Sequence, residues 1–404
     1  MAQCKTSPEV GGMGHSVKRK EDPRFIRGQG NYVDDIVRPG MVFMDIVRSP
    51  YAHAKIKSIN TEKALAHPGV AAVITGETLK EYNLHMMPTL MSDTQMVLPI
   101  EKVCYQAQEV AAVIATDRYS AADGVELVEV EYEPLPVVVD PHKATDPDAP
   151  IIRDDKEGQD SNHIFHWEAG DKSGTDEIFK NADVTVKENI YLPRIHVASI
   201  ETCGCLSEFD SVTGRLTVWM TTQAPHAIRT VLALVAGHVG LQEDKIRVIS
   251  PDIGGGFGGK VPVYPGYVIA IAASVVTGLP IKWIEDRREN LQADSFARDY
   301  HMTCEIAADK DGTLNGLRIN TLADHGYADA AANPSKWPAG MFSICTGSYN
   351  FKNAFVEVDG VYTNKPPGGI AYRCSFRVTE AVHAIERMVD MVADELGMDA
   401  AEIR

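Results

Sequence analysis

One cysteine, Cys374, stands between Arg373 and Arg377 in the run AYRCSFR, directly after the cluster KPPGG and just ahead of an apolar-periodic stretch that begins near Val378. The proline and glycine cluster fixes a loop. Cationic neighbours and the positive end of the following helix dipole both favour the ionised thiol, so the residues read as a thiolate at neutral pH. Three uses of it stay open. A nucleophile wants a histidine base near it in space, and no spacing places any of the 13 histidines there. A lone soft ligand suits Cu(I), and a packed, inert thiol is the ordinary outcome.

A second candidate is the glycine loop PDIGGGFGGK, 251–260, which follows a β-branched stretch. Its letters fit both G-x-G-x-x-G and G-x-x-x-x-G-K, and neither familiar reading holds. A phosphate-binding P-loop needs Ser or Thr after the lysine to hold magnesium, and Val261 stands there. A dinucleotide turn opens its helix directly from the glycines, whereas KVPVYPG intervenes before a helix expected near Pro265, even though Glu285 lies where a ribose-binding acid would. What remains is a loop of exposed amides suited to an anionic or polar cofactor. In TTQAPHAIR, Gln223 sits at a strand end ahead of a helix starting near Pro225. It reads either as a turn residue or as an amide donor pointing into a cleft.

Seven cysteines, with no C-x-x-C pair, suit reduced thiols. Cys203 and Cys205 in ETCGC would share one strand face, either as buried thiols or as part of a metal site. Lys and Arg total 39 against 56 Asp and Glu, and the charge of −17 disfavours nucleic acid or an anionic membrane as the main partner. The basic N-terminus lacks an apolar run, so it does not read as a secretory signal, and a cytoplasmic location is expected. The apolar stretches YVIAIAASVV and VLALVAGHVGL fall short of a membrane span and read as core helices.

With 404 residues, 44% hydrophobic and 24% charged, the chain falls within globular averages and is long enough for two or three domains. We expect a polar leader over 1–25, a first α+β domain over 26–141, a linker over 142–175 and a larger α+β domain over 176–404. GQGNYVDDI, GMVFMDIVRSPYAHAKIKSIN and PGVAAVITGETL read as short strands, and EVAAVIATDRYSAADGVELVEVEYEP as strand, helix and strand. The strand, helix and strand segment is read as running on through LPVVVD to Asp140. ADVTVKENIYLP, RLTVWMTTQ and KIRVISPDI read as later strands. Val382, Ile385, Met388, Val389 and Val392 form the apolar stripe of a helix, after which MDAAEIR looks like the start of another.

In this order, the segments GQGNYVDDIVRPGMVFMDIVRSPYAHAKI, ELVEVEYEPLPVVVD, QAPH, DIGGGFGGK, KWIEDRRENL and AYRCSFR resemble the molybdenum-binding large subunits of the xanthine dehydrogenase family. AYRCSFR is similar to the form I aerobic carbon monoxide dehydrogenase branch; other branches carry glycine where Cys374 stands. Purine-oxidising members tend to have glutamate after GGK, where this chain has Val261. The resemblance implies an α/β-hammerhead domain at 26–141 and part of a molybdopterin-binding domain at 176–404. It implies that Cys374 binds Cu(I), which a sulfide bridges to molybdenum held by molybdopterin cytosine dinucleotide. Gln223 would lie beside a molybdenum oxo ligand. Gly255, Gly256, Phe257 and Gly258 would contact the cofactor, as would Ser375 and Phe376, and Arg373 would brace the loop.

The implied reaction is oxidation of CO by water to CO2. Electrons would pass to separate chains, a small subunit with 2Fe-2S clusters and a medium subunit with FAD, toward a quinone. A dimer of heterotrimers, at most peripheral at the membrane through its partners, would be the assembly. Family members continue into a second cofactor-binding half that holds a catalytic glutamate, so this chain by itself is expected not to turn over. Two alternatives stand beside this one: a related hydroxylase of aldehydes or heterocycles in which Cys374 is incidental, and a short non-catalytic assembly or cofactor-loading protein.

Overall fold

The unbroken apolar run EVAAVIA suits a strand covered on both faces. The structure, a computed structural model, describes residues 13–14, 16–90, 93–328, 339–370, 372 and 378–404. In chain order its strands are β1 (Val42–Arg48), β2 (Ala54–Asn60), β3 (Val70–Thr75), β4 (Met86–Pro88), β5 (Thr94–Met96), β6 (Lys102–Val103), β7 (Glu109–Ala115), β8 (Glu129–Pro134) and β9 (His163–Gly170). The later strands are β10 (Val184–Leu192), β11 (Gly204–Asp210), β12 (Arg215–Met220), β13 (Ile246–Ile249), β14 (Ile281–Ile284), β15 (Tyr300–Ala308), β16 (Leu314–Asp324) and β17 (Asn353–Val361). All of β7 is buried.

β7 lies between β1 and β3 in a seven-stranded sheet of order β13-β12-β11-β14-β1-β7-β3. The parallel pair β1 and β14 sets Val42 opposite Ile281 and Met44 opposite Trp283, so one sheet continues past Pro141, where the first domain is expected to end. Strands this distant in sequence pair without leaving a local signal.

The helix Pro265–Thr277 is buried from Pro265 through Ser274 and packs on β11 and β14. A helix apolar on all sides must be enclosed. It opens on a proline and closes on Gly278 at φ +71°, the asymmetry expected of helix ends. Among the described residues, no helix is long and apolar enough to cross a membrane.

The second sheet, β10-β15-β16-β17-β9, is covered on one face by the helix Val378–Leu396. Ile385, Met388, Val389 and Val392 of the expected stripe are buried. Val382 is 47% exposed, and Ala381 and Ala384 complete the packed face instead.

Three sequence expectations differ from the structure. Within the stretch taken as a linker, 142–175, His163–Gly170 forms β9, antiparallel to β17, and a helix opens at Lys172. β9 is an edge strand in which inward Phe165 and Trp167 alternate with outward His166 and Glu168, a short pattern lost beside the Asp-, Pro- and Gly-rich run before it. GQGNYVDDI forms no strand: Val33–Asp35 is a short 3-10 turn, because the Asp35 carboxylate accepts from the Tyr32 N–H at 2.9 Å and offers the backbone a local alternative. MDAAEIR makes only a turn, in which Asp399 accepts from the Ala401 N–H at 2.8 Å.

Gly266 abuts the ring of Trp283, and a Cβ there would lie 2.3 Å from Cη2. Gly266→Val should therefore overpack the core and cost about 1–3 kcal/mol, read as a lowered thermal midpoint; an unchanged midpoint would contradict this packing.

Candidate functional site

The glycine loop leaves β13 and closes before the helix Pro265–Thr277, and its shape follows from two close constraints. At Gly256 a Cβ would lie 2.6 Å from both Cδ and Oε1 of Gln223, so only glycine lets the side chain cross the loop. Gly258 has φ +95°, which glycine adopts without steric cost. Between them Phe257 takes φ +51°, a conformation costly for a side-chain-bearing residue, and its ring is 59% exposed.

Gln223 follows β12 and heads the helix Pro225–Ala236. Its N–H donates to the Lys260 carbonyl at 2.8 Å. Its Oε1 accepts from the Gly258 N–H at 2.9 Å and from the Lys260 N–H at 3.3 Å. Two backbone donors thus fix the oxygen inward and leave the amide NH2 as the end free to donate. The residue is exposed, on the open side of the loop.

The strongest restraint was not singled out in the sequence. Glu201 Oε2 accepts from the Gly254 N–H and from Lys260 Nζ, each at 2.7 Å. The lysine side chain is 1% exposed and the carboxylate 19%. One carboxylate therefore ties the two ends of the loop together. Tyr264 adds a hydrogen bond from its hydroxyl to the Gly259 carbonyl at 2.6 Å. The lysine of GGK was the available signal, and no local pattern marked Glu201 as its partner.

Arg373, Cys374, Ser375 and Phe376 lie outside the described residues. The flanks of that segment are described. Arg298 Nη1 donates to the Tyr372 carbonyl at 2.8 Å, and Arg298 Nε meets Glu380 Oε1 at 2.9 Å, with both side chains buried. One guanidinium thus holds the residue before the segment and the first turn of the helix after it.

Cys203, Glu285 and Asp294 place ligand atoms within 4.8 Å of one another, all buried. Asn290 Nδ2 donates to Glu285 Oε2 at 3.0 Å and to Asp294 Oδ2 at 2.5 Å. Cys203 Sγ lies 3.5 Å from Asp294 Oδ2. Burial, followed by the neighbouring acid Asp294, pushes the Glu285 carboxyl up. Burial likewise raises Asp294 and the Cys203 thiol. Burial thus favours the protonated forms of these groups, with Arg48 Nη2 4.0 Å from Glu285 Oε1 as the nearby cation, and Glu285 is enclosed, so it is no ribose-binding acid. Cys205 is an apolar core thiol.

Removing one partner of a buried ion pair strands the other charge, so Lys260→Met should cost about 3–5 kcal/mol and loosen the loop, seen as faster amide exchange at Gly254–Gly259. Unchanged exchange would show that the pair does not hold the loop. Glu285 and Asp294 have folded pKa values raised above their unfolded ones. Their contribution is therefore full below the ordinary carboxylate range of about 4 and is lost as pH rises through the raised values. Glu285→Gln should flatten the fall in thermal midpoint from pH 5 to 9, and parallel curves would show that the raised titration of Glu285 does not contribute.

Residues 156–404 match the molybdopterin cofactor-binding domain family, and residues 27–136 match the aldehyde oxidase and xanthine dehydrogenase a/b hammerhead domain. The chain is 58% identical over 404 residues to the carbon monoxide dehydrogenase large chain of Hydrogenophaga pseudoflava, covering 98% of this chain and 50% of that one. A crystal structure of a Cu,Mo-CO dehydrogenase superposes with a TM-score of 0.94 at 57% identity, over 98% of this chain and 51% of that one. The nicotinate dehydrogenase large molybdopterin subunit of Eubacterium barkeri is 30% identical over 94% of this chain and 85% of its own length. The chain thus spans about half the length of the CO dehydrogenase relatives it matches. An α+β fold with a hammerhead domain followed by the molybdopterin domain, and a loop of fixed amides beside Gln223, lead to one assignment: the chain belongs to the molybdopterin-binding, aldehyde oxidase and xanthine dehydrogenase family.

Proposed function

We propose that this chain is the N-terminal part of the catalytic subunit of an aerobic carbon monoxide dehydrogenase, which carries out CO + H2O → CO2 + 2 H+ + 2 e− at a molybdenum and copper centre. The observation that carries the reading is the 58% identity to a carbon monoxide dehydrogenase large chain across 98% of this chain, joined to the cysteine of AYRCSFR.

The described residues fit a molybdenum cofactor. The missing Cβ at Gly256 gives the Gln223 side chain room to cross the loop, and loop N–H groups occupy its oxygen, so its NH2 is the end left to donate to a ligand. When bound, molybdopterin cytosine dinucleotide with molybdenum and Cu(I) would supply the two-electron redox chemistry and the docking point for CO. The protein's own contribution is positional. Gln223 would donate its NH2 to an oxo ligand, and the backbone of Gly255, Gly256, Phe257 and Gly258 would line the cofactor, with the Gly258 N–H already given to Gln223 Oε1. Cys374 would offer copper a soft thiolate, kept ionised by Arg373 and Arg377, with Ser375 and Phe376 beside it. The Glu201–Lys260 pair keeps the loop set in advance, so little ordering is left for the moment of binding.

Electrons would leave through 2Fe-2S clusters and FAD in separate small and medium subunits, in a dimer of heterotrimers. The assembly would be cytoplasmic, peripheral at the inner membrane face through its partners.

In the complete heteromeric enzyme, copper should be present at about one per molybdenum, as a single thiolate ligand implies, and Cys374→Ser should abolish CO oxidation while molybdenum cofactor content stays near wild type. Copper-free enzyme that turns over an aldehyde, or a Cys374→Ser variant that still oxidises CO, would overturn the proposal.

A further inference from the structure

The face of the second sheet turned away from the helix Val378–Leu396 carries a cluster of metal-ligating side chains on strands that do not build the glycine loop. In the antiparallel pair β17 and β9, Glu357 stands directly opposite Glu168, and Asp359 opposite His166. Like charges directly opposed across strands are destabilising. Among the described residues, the ion pairs of Glu168 and Asp359 are with histidines, and Glu357 is bonded to the neutral Asn320. Such a pair of acids gains from a cation between them.

The imidazole is already oriented for that role. Asp359 Oδ1 lies 3.0 Å from His166 Nδ1, so an Nδ1–H donated to it leaves the Nε2 lone pair facing Glu168, whose Oε2 is 3.8 Å away. A carboxylate behind the remote nitrogen of a histidine is the outer support that metal-ligating histidines use. Asp359 is itself braced by His163 Nε2 at 3.0 Å, which a bulge at Gly360 and Val361 brings to the same side. Glu357 is held in turn by Asn320 Nδ2 at 2.6 Å. One ligand atom each from His166, Glu168 and Glu357 lies within 4.8 Å of the other two. Tetrahedral zinc bonds would set these atoms about 3.3 Å apart, a closure within reach of side chains that are 46% exposed at His166 and 54% at Glu168.

We propose that His166, Glu168 and Glu357 form a binding site for a divalent transition-metal ion of the zinc type, with Asp359 and Asn320 orienting the ligands and an outer position open to water. The site is independent of the molybdenum reading and needs no redox chemistry.

The test is titration of the metal-stripped full chain with Zn2+ by calorimetry, in a Cys374→Ser background so that this thiol does not take the ion. His166→Ala should bind one fewer zinc ion per chain, and Asp359→Asn should weaken the same event about 10–100-fold. Glu357→Gln guards against misfolding: without metal it should melt at or above the parent because a like-charge pair is gone, yet show none of the zinc-induced rise in melting temperature. Equal zinc stoichiometry in the parent and His166→Ala, or an equal zinc-induced rise in Glu357→Gln, would overturn the proposal.

Discussion

The buried pairing of Lys260 with Glu201 is the constraint on which the candidate site depends. A lysine with 1% of its side chain exposed must be paired, and the oxygen that pairs it also accepts the Gly254 N–H. Closing the loop at its two ends leaves its middle little freedom. Gln223 then fills the space that a side chain at Gly256 would need, and its own orientation is set by the same backbone. The ion pair, the absent Cβ and the amide are one mechanical unit, and the outward NH2 of Gln223 results from all three.

Around that unit the scaffold is stiff for separate reasons. Tyr264 reaches the Gly259 carbonyl from the position just before an enclosed helix, so loop and core share a wall. Arg287 binds the Ser199 and Ile200 carbonyls, which fixes the strand-flanking segment that carries Glu201. Glu285, Asn290 and Asp294 hold one another in a buried hydrogen-bonded network, where burial pushes both carboxyl groups toward the protonated form. Arg298 performs a similar service on the far side of the site by bonding both Tyr372 and Glu380.

Much of this was legible in the residue order. Five glycines within six positions announced a tight loop, although the N–H groups of Gly254 and Gly258 turn to Glu201 and Gln223, and the two prolines after it excluded a dinucleotide turn; the helix at Pro265 begins where that argument put it. Val378 likewise opens the helix behind the cysteine segment. The edge strand β9 was hidden because its short alternation, Phe165 to Ala169, follows a long run rich in Asp, Pro, Lys and Gly whose composition reads as a connection. Val382 fits a helical stripe by spacing, but the packed face runs through Ala381, Ala384 and Ile385, and Val382 is turned to its exposed side.

Sequence by itself determined the chemistry on offer: a cysteine between arginines, a glycine loop followed by lysine, an amide at a strand end, and an acidic chain with no span long enough for a membrane. These follow from residue type and short-range spacing, which act over a few bonds. Only the tertiary structure decided that Glu201 is the partner of Lys260, that one arginine spans the flanks of the cysteine segment, and that β1 joins β14 in a single sheet. Each is a pairing of residues distant along the chain, selected because a buried charge or an unpaired strand edge must find its complement in space, and no local pattern encodes which distant residue will supply it.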